Sequence, residues 1–492
     1  MSTPLDPFGG AVTVGSVTLR TPGLAGSAES YPAGSPGIRN AEFIMDDLEQ
    51  ALINEHVKRQ ETVVLTDTAE IEVAGVQTGD EPVIEVEVPH PGERLGQVVL
   101  YVDESRVSSW TFASDKGHPE ETTRVGATQT YVIRRFVPPA PEHAGTRGLI
   151  GAGALGKKLL KVLVFPLVDP DPLIGKVGDY FAHRWEKKKR PYRTRSFTPE
   201  DYASGDSSEL GADDWRRLSE GPALLLVHGT LSRAHIAFGS LPRDYVEQLH
   251  DRYCGRVFAF DHFTLSEDPK ENVDWLAQHI PDGTTLELDV LCHSRGGLVS
   301  RVLAEKQSEL SLGSRAIRVR NTVFVATPNA GTALAQNFGN LVDTYTNLLK
   351  LLPDTGGVEV IEGVITVMKQ IAIGALKGLD GLQAMRPQGP FLNWLNTGPA
   401  GNERYFALGS NYEPAEPGFA SSLDLLMDRV FKQADNDLVV PTAGVYEKNG
   451  SPLFPIAERH LFAAADAVPH TRYFASGVAR AKISEWLTGQ EE

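Results

Sequence analysis

At 492 residues the chain is longer than one ordinary domain, and its formal charge of −17 excludes a general nucleic-acid binder, which needs a basic face to neutralise phosphates. With only Cys254 and Cys292 present, neither a disulfide framework nor a cysteine-held zinc site is expected, and a reducing compartment is allowed. Hydrophobic residues make up 41% of the chain, which suits a globular protein with a sizeable core.

Residues 1–40 are rich in Gly, Pro, Ser and Ala without periodicity and read as a flexible N-terminal arm. The opening MSTPLDPFGGAVTVGS has no basic head followed by an apolar run, so no secretory signal is expected and the cytoplasm is the expected compartment. Over 41–59, Phe43, Ile44, Leu48, Leu52 and Ile53 recur at helical spacing and predict a packing helix. From 61 to 137 the period shortens: VVLT, PVIEVEV, QVVLYVD, RVSSWTFA and TYVIRRF are β-branched runs broken by Gly, Asp and Pro. Residues 41–137 therefore read as a helix plus a small all-β, sandwich-like domain, whose simplest role is to cover or space its neighbour.

Residues 138–220 read as a basic, amphipathic linker. The run LIGAGALGKKLLKVLVFPL at 149–167 is apolar, but Lys157, Lys158 and Lys161 and its glycines make it a poor spanning helix. Between 147 and 195 there are twelve Lys or Arg against four Asp or Glu, in a chain that is acidic overall. Such a stretch can lie on an anionic membrane surface or dock onto this chain's own acidic surface, and both expectations are carried forward.

From 221 to 490 strand and helix patterns alternate, which predicts a parallel sheet flanked by helices. ALLLV at 223–227 ends in His228-Gly229-Thr230; RVFAFDH follows; then LELDVLCHSRGGLVSRVLAEK runs from an apolar strand through a tight turn into an amphipathic helix. Leu298, Val299, Val302 and Leu303 form the apolar face of that helix, with Arg301, Glu305 and Lys306 opposite. Ser294 stands at the turn in a G-x-S-x-G-like segment in which Cys292 occupies the first glycine position and Gly296 the last. A serine on such a strand–turn–helix elbow is held at the top of a sheet beside the backbone donors of a helix N-terminus.

After the next strand comes ATPNAGTALA, with Thr327, Pro328, Gly331 and Thr332 in a TP-x-x-GT pattern. Together VHGT, CHSRGGLV and ATPNAGTALA resemble the lipase-like branch of the α/β-hydrolase superfamily, which includes bacterial triacylglycerol lipases and GPI inositol-deacylase-like proteins. The resemblance implies an α/β-hydrolase fold over 221–490 and a helical cap at about 333–398, where long apolar helical patterns interrupt the alternation. It implies oxyanion donors in the backbone N–H groups of Thr230 and Arg295. It also implies an acid and a histidine after the serine, in that order. Asp437, heading D-x-x-V-P, is the expected acid with Asp435 as its rival; His470, before the last helix, is the expected base with His460 as its rival. His228 is expected to shape its loop.

The expected activity is that of a serine esterase acting on carboxylic esters, lipid or acyl esters among them, through Ser294, His470 and Asp437 and an acyl-enzyme. Acyl transfer through the same residues, and a non-catalytic hydrolase-fold scaffold, are the alternatives. No metal and no organic cofactor are implied, and no nucleic acid is expected as partner.

Overall fold

Alternate apolar residues in the first half of the chain pair off into two antiparallel sheets. The computed structural model describes residues 2–35, 46–71, 83–113, 128–134, 156–167, 181–351, 357–397, 404–413, 419–448 and 454–488. Phe43 and Ile44 of the expected helical stripe, and the Pro-rich break after 137, lie outside the described residues. The strands are β1 (Thr3–Pro4), β2 (Val12–Val14), β3 (Val17–Arg20), β4 (Leu24–Pro32), β5 (Lys58–Glu70), β6 (Val83–Pro89), β7 (Leu95–Val102), β8 (Ser108–Thr111), β9 (Thr128–Arg134) and β10 (Gly156–Pro166). They form a six-stranded sheet in the order β1-β4-β5-β10-β7-β8 and a four-stranded sheet in the order β2-β3-β6-β9. Leu19, Val86 and Tyr131 of the smaller sheet meet Val63, Val99 and Val162 of the larger across a shared core.

Two expectations give way here. Residues 3–32, read as a flexible arm, supply four strands: Val17, Leu19, Leu24 and Ala28 are buried, but their partners β5 and β6 lie far along the chain and no local pattern announces them. Residues 156–166, read as part of a linker, form the strand between β5 and β7. Its near-continuous apolar run has a physical reason. The larger sheet is covered on both faces, so Leu160 and Val162 enter the sandwich core while Leu159, Leu163 and Phe165 enter the core shared with the second half of the chain.

That second half is built on a seven-stranded sheet ordered β11-β13-β12-β14-β15-β16-β17. Its strands are β11 (Arg193–Ser196), β12 (Ala223–Val227), β13 (Val257–Asp261), β14 (Thr285–His293), β15 (Ala316–Val325), β16 (Arg404–Ser410) and β17 (Ile456–Phe462). All neighbours are parallel except β11, an antiparallel edge on β13, so the sheet starts before 221. This is an α/β-hydrolase-like core of mostly parallel strands flanked by helices.

The helices are α1 (Asp46–Asn54) and α2 (Phe181–Lys189), then α3 (Ala212–Leu218), α4 (Ala234–Phe238), α5 (Arg243–Arg252), α6 (Pro269–His279) and α7 (Gly296–Glu305). Between β15 and β16 lie α8 (Phe338–Leu351), α9 (Gly357–Ala372), α10 (Asp380–Gln383) and α11 (Pro390–Leu395); α12 (Phe419–Phe431) and α13 (Gly477–Thr488) complete the set. In α1 Leu48, Ala51 and Leu52 face the core while Ile53 is exposed. In α7 Arg301 is fully buried, contrary to its expected outer position, because Phe454 covers its guanidinium and Glu305 pairs with it. No helix among the described residues is long and apolar enough to cross a membrane.

The polar positions of α9 do not face water. Glu359 pairs with Arg190, Glu362 with Lys189 and Asn54, Lys369 with Glu55, and Gln370 accepts from the Ala182 N–H, so α9 is docked between α1 and α2. Part of the basic segment is paired from within the chain: Lys158 pairs with Glu104, Lys161 with Glu49, and Arg195 lies 3.7 Å from Asp261. These pairs dock that part of the segment onto the chain itself.

Helix α8 joins the two halves. Strand β8 is an edge, and α8 satisfies its outward backbone groups: Asn347 Oδ1 accepts from the Ser108 N–H at 2.8 Å, Asn347 Nδ2 donates to the Ser108 carbonyl at 2.7 Å, and Asp343 accepts from the Trp110 N–H at 2.7 Å. Burial pushes the Asp343 carboxyl well above its ordinary range, against the opposing pull of the Trp110 N–H and Lys350. The folded chain thus holds a proton that the unfolded chain releases near pH 4, and stability falls as pH rises from there toward the folded pKa. Asp343→Asn, which keeps the acceptor, is expected to raise unfolding stability at pH 8. In urea titrations that gain shrinks as the pH is lowered toward 4; an equal gain at every pH would mean that Asp343 is ionised in the fold.

Candidate functional site

The order in which strands are added to the parallel sheet reverses about β12, with β13 on one side and β14 on the other, so a crevice opens above the C-terminal ends of β12 and β14. The register Val227↔Cys292 sets the loop His228-Gly229-Thr230 beside His293-Ser294-Arg295. Ser294 holds a left-handed backbone, φ 53°, its N–H donates to the Val325 carbonyl at 2.8 Å, and α7 starts two residues later. A non-glycine residue held at positive φ is strained and needs surrounding structure to fix it.

That structure is close backbone contact. A Cβ at Gly296 would lie 2.3 Å from the Val227 carbonyl oxygen, and one at Gly229 would lie 2.6 Å from the Ser294 Cβ. At position 292 no such approach exists: the Cys292 thiol is buried and donates to the Val323 carbonyl at 3.3 Å. Burial pushes that thiol up to about 12, so Cys292 fills space and is no thiolate nucleophile.

Asp437 and His470 are brought together. His470 Nδ1 donates to Asp437 Oδ2 at 2.9 Å, and the His470 N–H donates to the Asp437 carbonyl at 3.0 Å. Asp437 Oδ1 accepts from the N–H groups of Val439 and Val440, and Tyr473 Oη donates to Oδ2 at 3.0 Å. His470 Nε2 is buried, without a hydrogen-bond partner among the described residues. Asp435 is exposed, and His460 is on β17 with its ring against Phe462, so neither joins this cluster. Behind His470, Ile483 and Trp486 of α13 are buried as expected, but Val478 is exposed.

Among the described residues, no acceptor is hydrogen-bonded to the backbone N–H of Thr230 or of Arg295. Ser294 makes no side-chain hydrogen bond to His470; the two are linked through His293, whose Nε2 lies 2.8 Å from the His470 carbonyl. His293 was not singled out in the sequence, although its place next to Ser294 is a signal. Arg295 was expected to matter only through its backbone. Its guanidinium is buried and donates to the carbonyls of Phe263, Glu267 and Gly381 and to Asn272 Oδ1, tying the turn to the loop after β13.

Glu186, also unforeseen, braces the same loop by accepting from the N–H groups of Thr264, Leu265 and Ser266. His228 donates from Nδ1 to the Gly229 carbonyl, accepts the His262 N–H at Nε2, and is held well below its ordinary range by burial, so it shapes the loop as a neutral ring. The TP-x-x-GT segment ties β15 to the loop that carries Asp437: Thr332 Oγ1 donates to the Val439 carbonyl, and the Ala330 N–H to that of Gly444.

Over this cluster lies a small pocket, partly open to solvent. Thr230, Ser232, His293, His470 and Thr471 line one part; Leu231, Ile236, Ala237, Tyr345, Leu348, Leu349 and Val360 line the rest, four of these seven coming from α8 and α9. Among the described residues no three His, Cys, Asp or Glu side chains are grouped to hold a metal.

Residues 189–488 match a family described as a domain of unknown function, DUF7379. The chain belongs to this family. No curated protein sequence matches it. Among solved structures it is similar to lipase 1 from Pelosinus fermentans, at 15% identity over 55% of this chain and 99% of that one, with a TM-score of 0.38. It is also similar to the Staphylococcus hyicus lipase, at 12% identity over 54% and 94%, TM-score 0.34, and to a metagenomic carboxyl esterase, at 16% over 57% and 80%, TM-score 0.29. The fold follows from the chain's own strand order, and no single branch of the superfamily is selected.

The contacts around Gly296 generate a direct prediction. Gly296→Ala, which forces a methyl into two backbone carbonyls, is expected to cost at least about 3 kcal/mol in chemical denaturation or to prevent folding. Cys292→Ala, at the other end of the motif, is expected to cost less than about 1.5 kcal/mol.

Proposed function

We propose that the chain is a serine esterase in which Ser294, His470 and Asp437 act as a triad. His470, held by Asp437 in the Nδ1–H tautomer, presents Nε2 as the base that takes the Ser294 proton. The Ser294 oxygen attacks the ester carbonyl, and the oxyanion is received by the N–H groups of Thr230 and Arg295. His470 returns the proton to the leaving alcohol, and water then releases the acyl group from Ser294. Asp437 stabilises the imidazolium without taking a proton itself.

The single observation carrying this reading is the Asp437–His470 pair, buried and fully oriented with Nε2 unpartnered, on a loop bonded to the residue preceding a positive-φ serine. The N–H groups of Thr230 and Arg295, which have no acceptor among the described residues, support it, because buried donors without acceptors are rare. The apolar walls from α8 and α9 suit an acyl group, which makes a carboxylic ester with a hydrocarbon acyl half the favoured substrate.

Labelling of the purified chain by a fluorophosphonate tests the reading. Wild type is expected to label, Ser294→Ala not at all, and His470→Ala at least about a hundredfold more slowly, in line with loss of a general base. A folded wild type that never labels would favour a non-catalytic scaffold, and acid release that gives way to ester exchange when alcohol is added would favour acyl transfer.

A further inference from the structure

The basic run HRWEKKKR takes no part in the chemistry proposed for Ser294, and the fold gives it a place of its own. Phe181, Arg184, Trp185 and Lys188 follow one another at helical spacing on α2, so they share one stripe of that helix. That stripe lines a second pocket, partly open to solvent, whose other walls are Lys369 of α9, the C-terminal end of α1 and Pro166 at the end of β10. It shares no lining residue with the pocket over His470. Helix α9 gives Val360 to that pocket and Lys369 to this one, roughly 13 Å apart along the helix.

The charge here runs against that of the chain. Arg184, Lys188, Lys189 and Lys369 line the pocket against one carboxylate, Glu55, in a protein whose formal charge is −17. Two of the four are held by acids: Lys369 donates to Glu55 at 2.6 Å, and Lys189 lies 3.3 Å from Glu362. With Glu362 counted, the cations still outnumber these carboxylates by two. Like charges gathered in one pocket repel, and an anion bound among them relieves that repulsion.

A phosphomonoester fits this surplus. It carries about −1.5 to −2 charge at pH 7, and its acceptor oxygens suit an arginine fork and lysine ammonium groups, whereas a monocarboxylate offsets only one charge. Phe181, Trp185 and Pro166 give the pocket an apolar side for the organic half of such an ester. We propose that this pocket binds the phosphoryl group of a phosphomonoester, with Arg184 and Lys188 as its donors and Lys189 and Lys369 completing the positive field. No bond is made or broken there, and binding does not depend on Ser294.

Calorimetric titration of the full chain with glycerol 3-phosphate, at ionic strength held constant with sodium chloride, tests the site. Saturable binding at one site per chain is expected, with a rise in Tm, since a ligand that binds only the folded chain stabilises it. Lys188→Glu is expected to weaken binding at least about tenfold, the scale of one lost charge-assisted hydrogen bond. Lys187→Glu makes the same change in net charge at an exposed position of α2 outside the pocket, and is expected to leave the affinity within about twofold, because salt screens a charge at the surface. Both side chains are exposed, so both variants are expected to fold, and their Tm without ligand checks this. Phosphatidylcholine vesicles with and without phosphatidic acid identify the source of the phosphoryl group. Co-sedimentation that needs phosphatidic acid, is competed by glycerol 3-phosphate and is lost in Lys188→Glu assigns it to a lipid; soluble binding without co-sedimentation assigns it to a free ester. Equal weakening by Lys187→Glu and Lys188→Glu overturns the proposal, because diffuse surface charge then accounts for the binding. So does the absence of binding to both glycerol 3-phosphate and the vesicles. Fluorophosphonate labelling of Ser294 reads the esterase proposal separately, and neither result decides the other.

Discussion

One layer of helices is buried between two sheets, and most of the structure depends on it. The outer face of the six-stranded sheet, with Val98, Leu100 and Leu159, shares a continuous core with Val360 and Val364 of α9, Leu341 and Leu348 of α8, and Val290 and Phe324 of the parallel sheet. Neither α8 nor α9 has a free side. Their apolar faces roof the pocket and fill the core, and their polar positions satisfy α1, α2 and the exposed edge of β8. A roof held this way is stiffer than a cap hinged over one domain, because opening it would strand Asn347, Asp343 and the Ser108 backbone without partners. The β-sandwich therefore has a physical role that its own surface does not advertise: it fixes the shape of the pocket wall.

The parts of the fold legible in the sequence are those whose burial is one-sided or whose pairing is sequential. β12, β13, β14 and β16 fell where apolar runs and turn residues placed them, since each parallel strand is followed closely by its helix. What stayed hidden has one cause. A strand covered on both faces loses its period-2 pattern, so β10 resembles an apolar helix. A short strand such as β3 gains its partner only from distant sequence, so a stretch rich in Gly and Pro around it reads as an arm. Arg301 and the polar face of α9 show the same effect in helices, where charged residues signal solvent unless a partner of opposite charge waits on a neighbouring element.

The candidate site was more legible than the sandwich because its residues sit in short local motifs with steric causes. Gly296 and Gly229 are dictated by backbone approach to Val227 and Ser294, whereas Cys292 shows that the first glycine of the motif is not required where the neighbouring backbone stays clear. The choice between Asp437 and Asp435 was open in the sequence, since both lie in one polar turn. Geometry separates them, with one carboxylate fully surrounded by donors and the other in solvent. Tyr473, Glu186 and the Arg295 side chain were invisible for the opposite reason. Glu186 and Arg295 are bonded chiefly to loop backbone groups, which carry no sequence signal, and Tyr473 meets the Asp437 carboxylate from a loop 36 residues further along the chain.

Those three side chains explain how a strained serine can be held so firmly. A residue at positive φ is kept there only if the segments on either side have nowhere to relax. Arg295 locks the downstream side by donating to three carbonyls of loops from β13 and α10, and Glu186 in turn locks the β13 loop by collecting its N–H groups. On the upstream side His293 is bonded to the loop of His470, which Asp437 and Tyr473 hold. The strain at Ser294 is thus opposed by two separate hydrogen-bonded networks, one reaching α2 and through it the helical layer, the other reaching Tyr473 in the turn before α13. Because the first network ends in the helices that the sandwich clamps, the geometry of the serine turn and the packing of the N-terminal sheets form one mechanical unit.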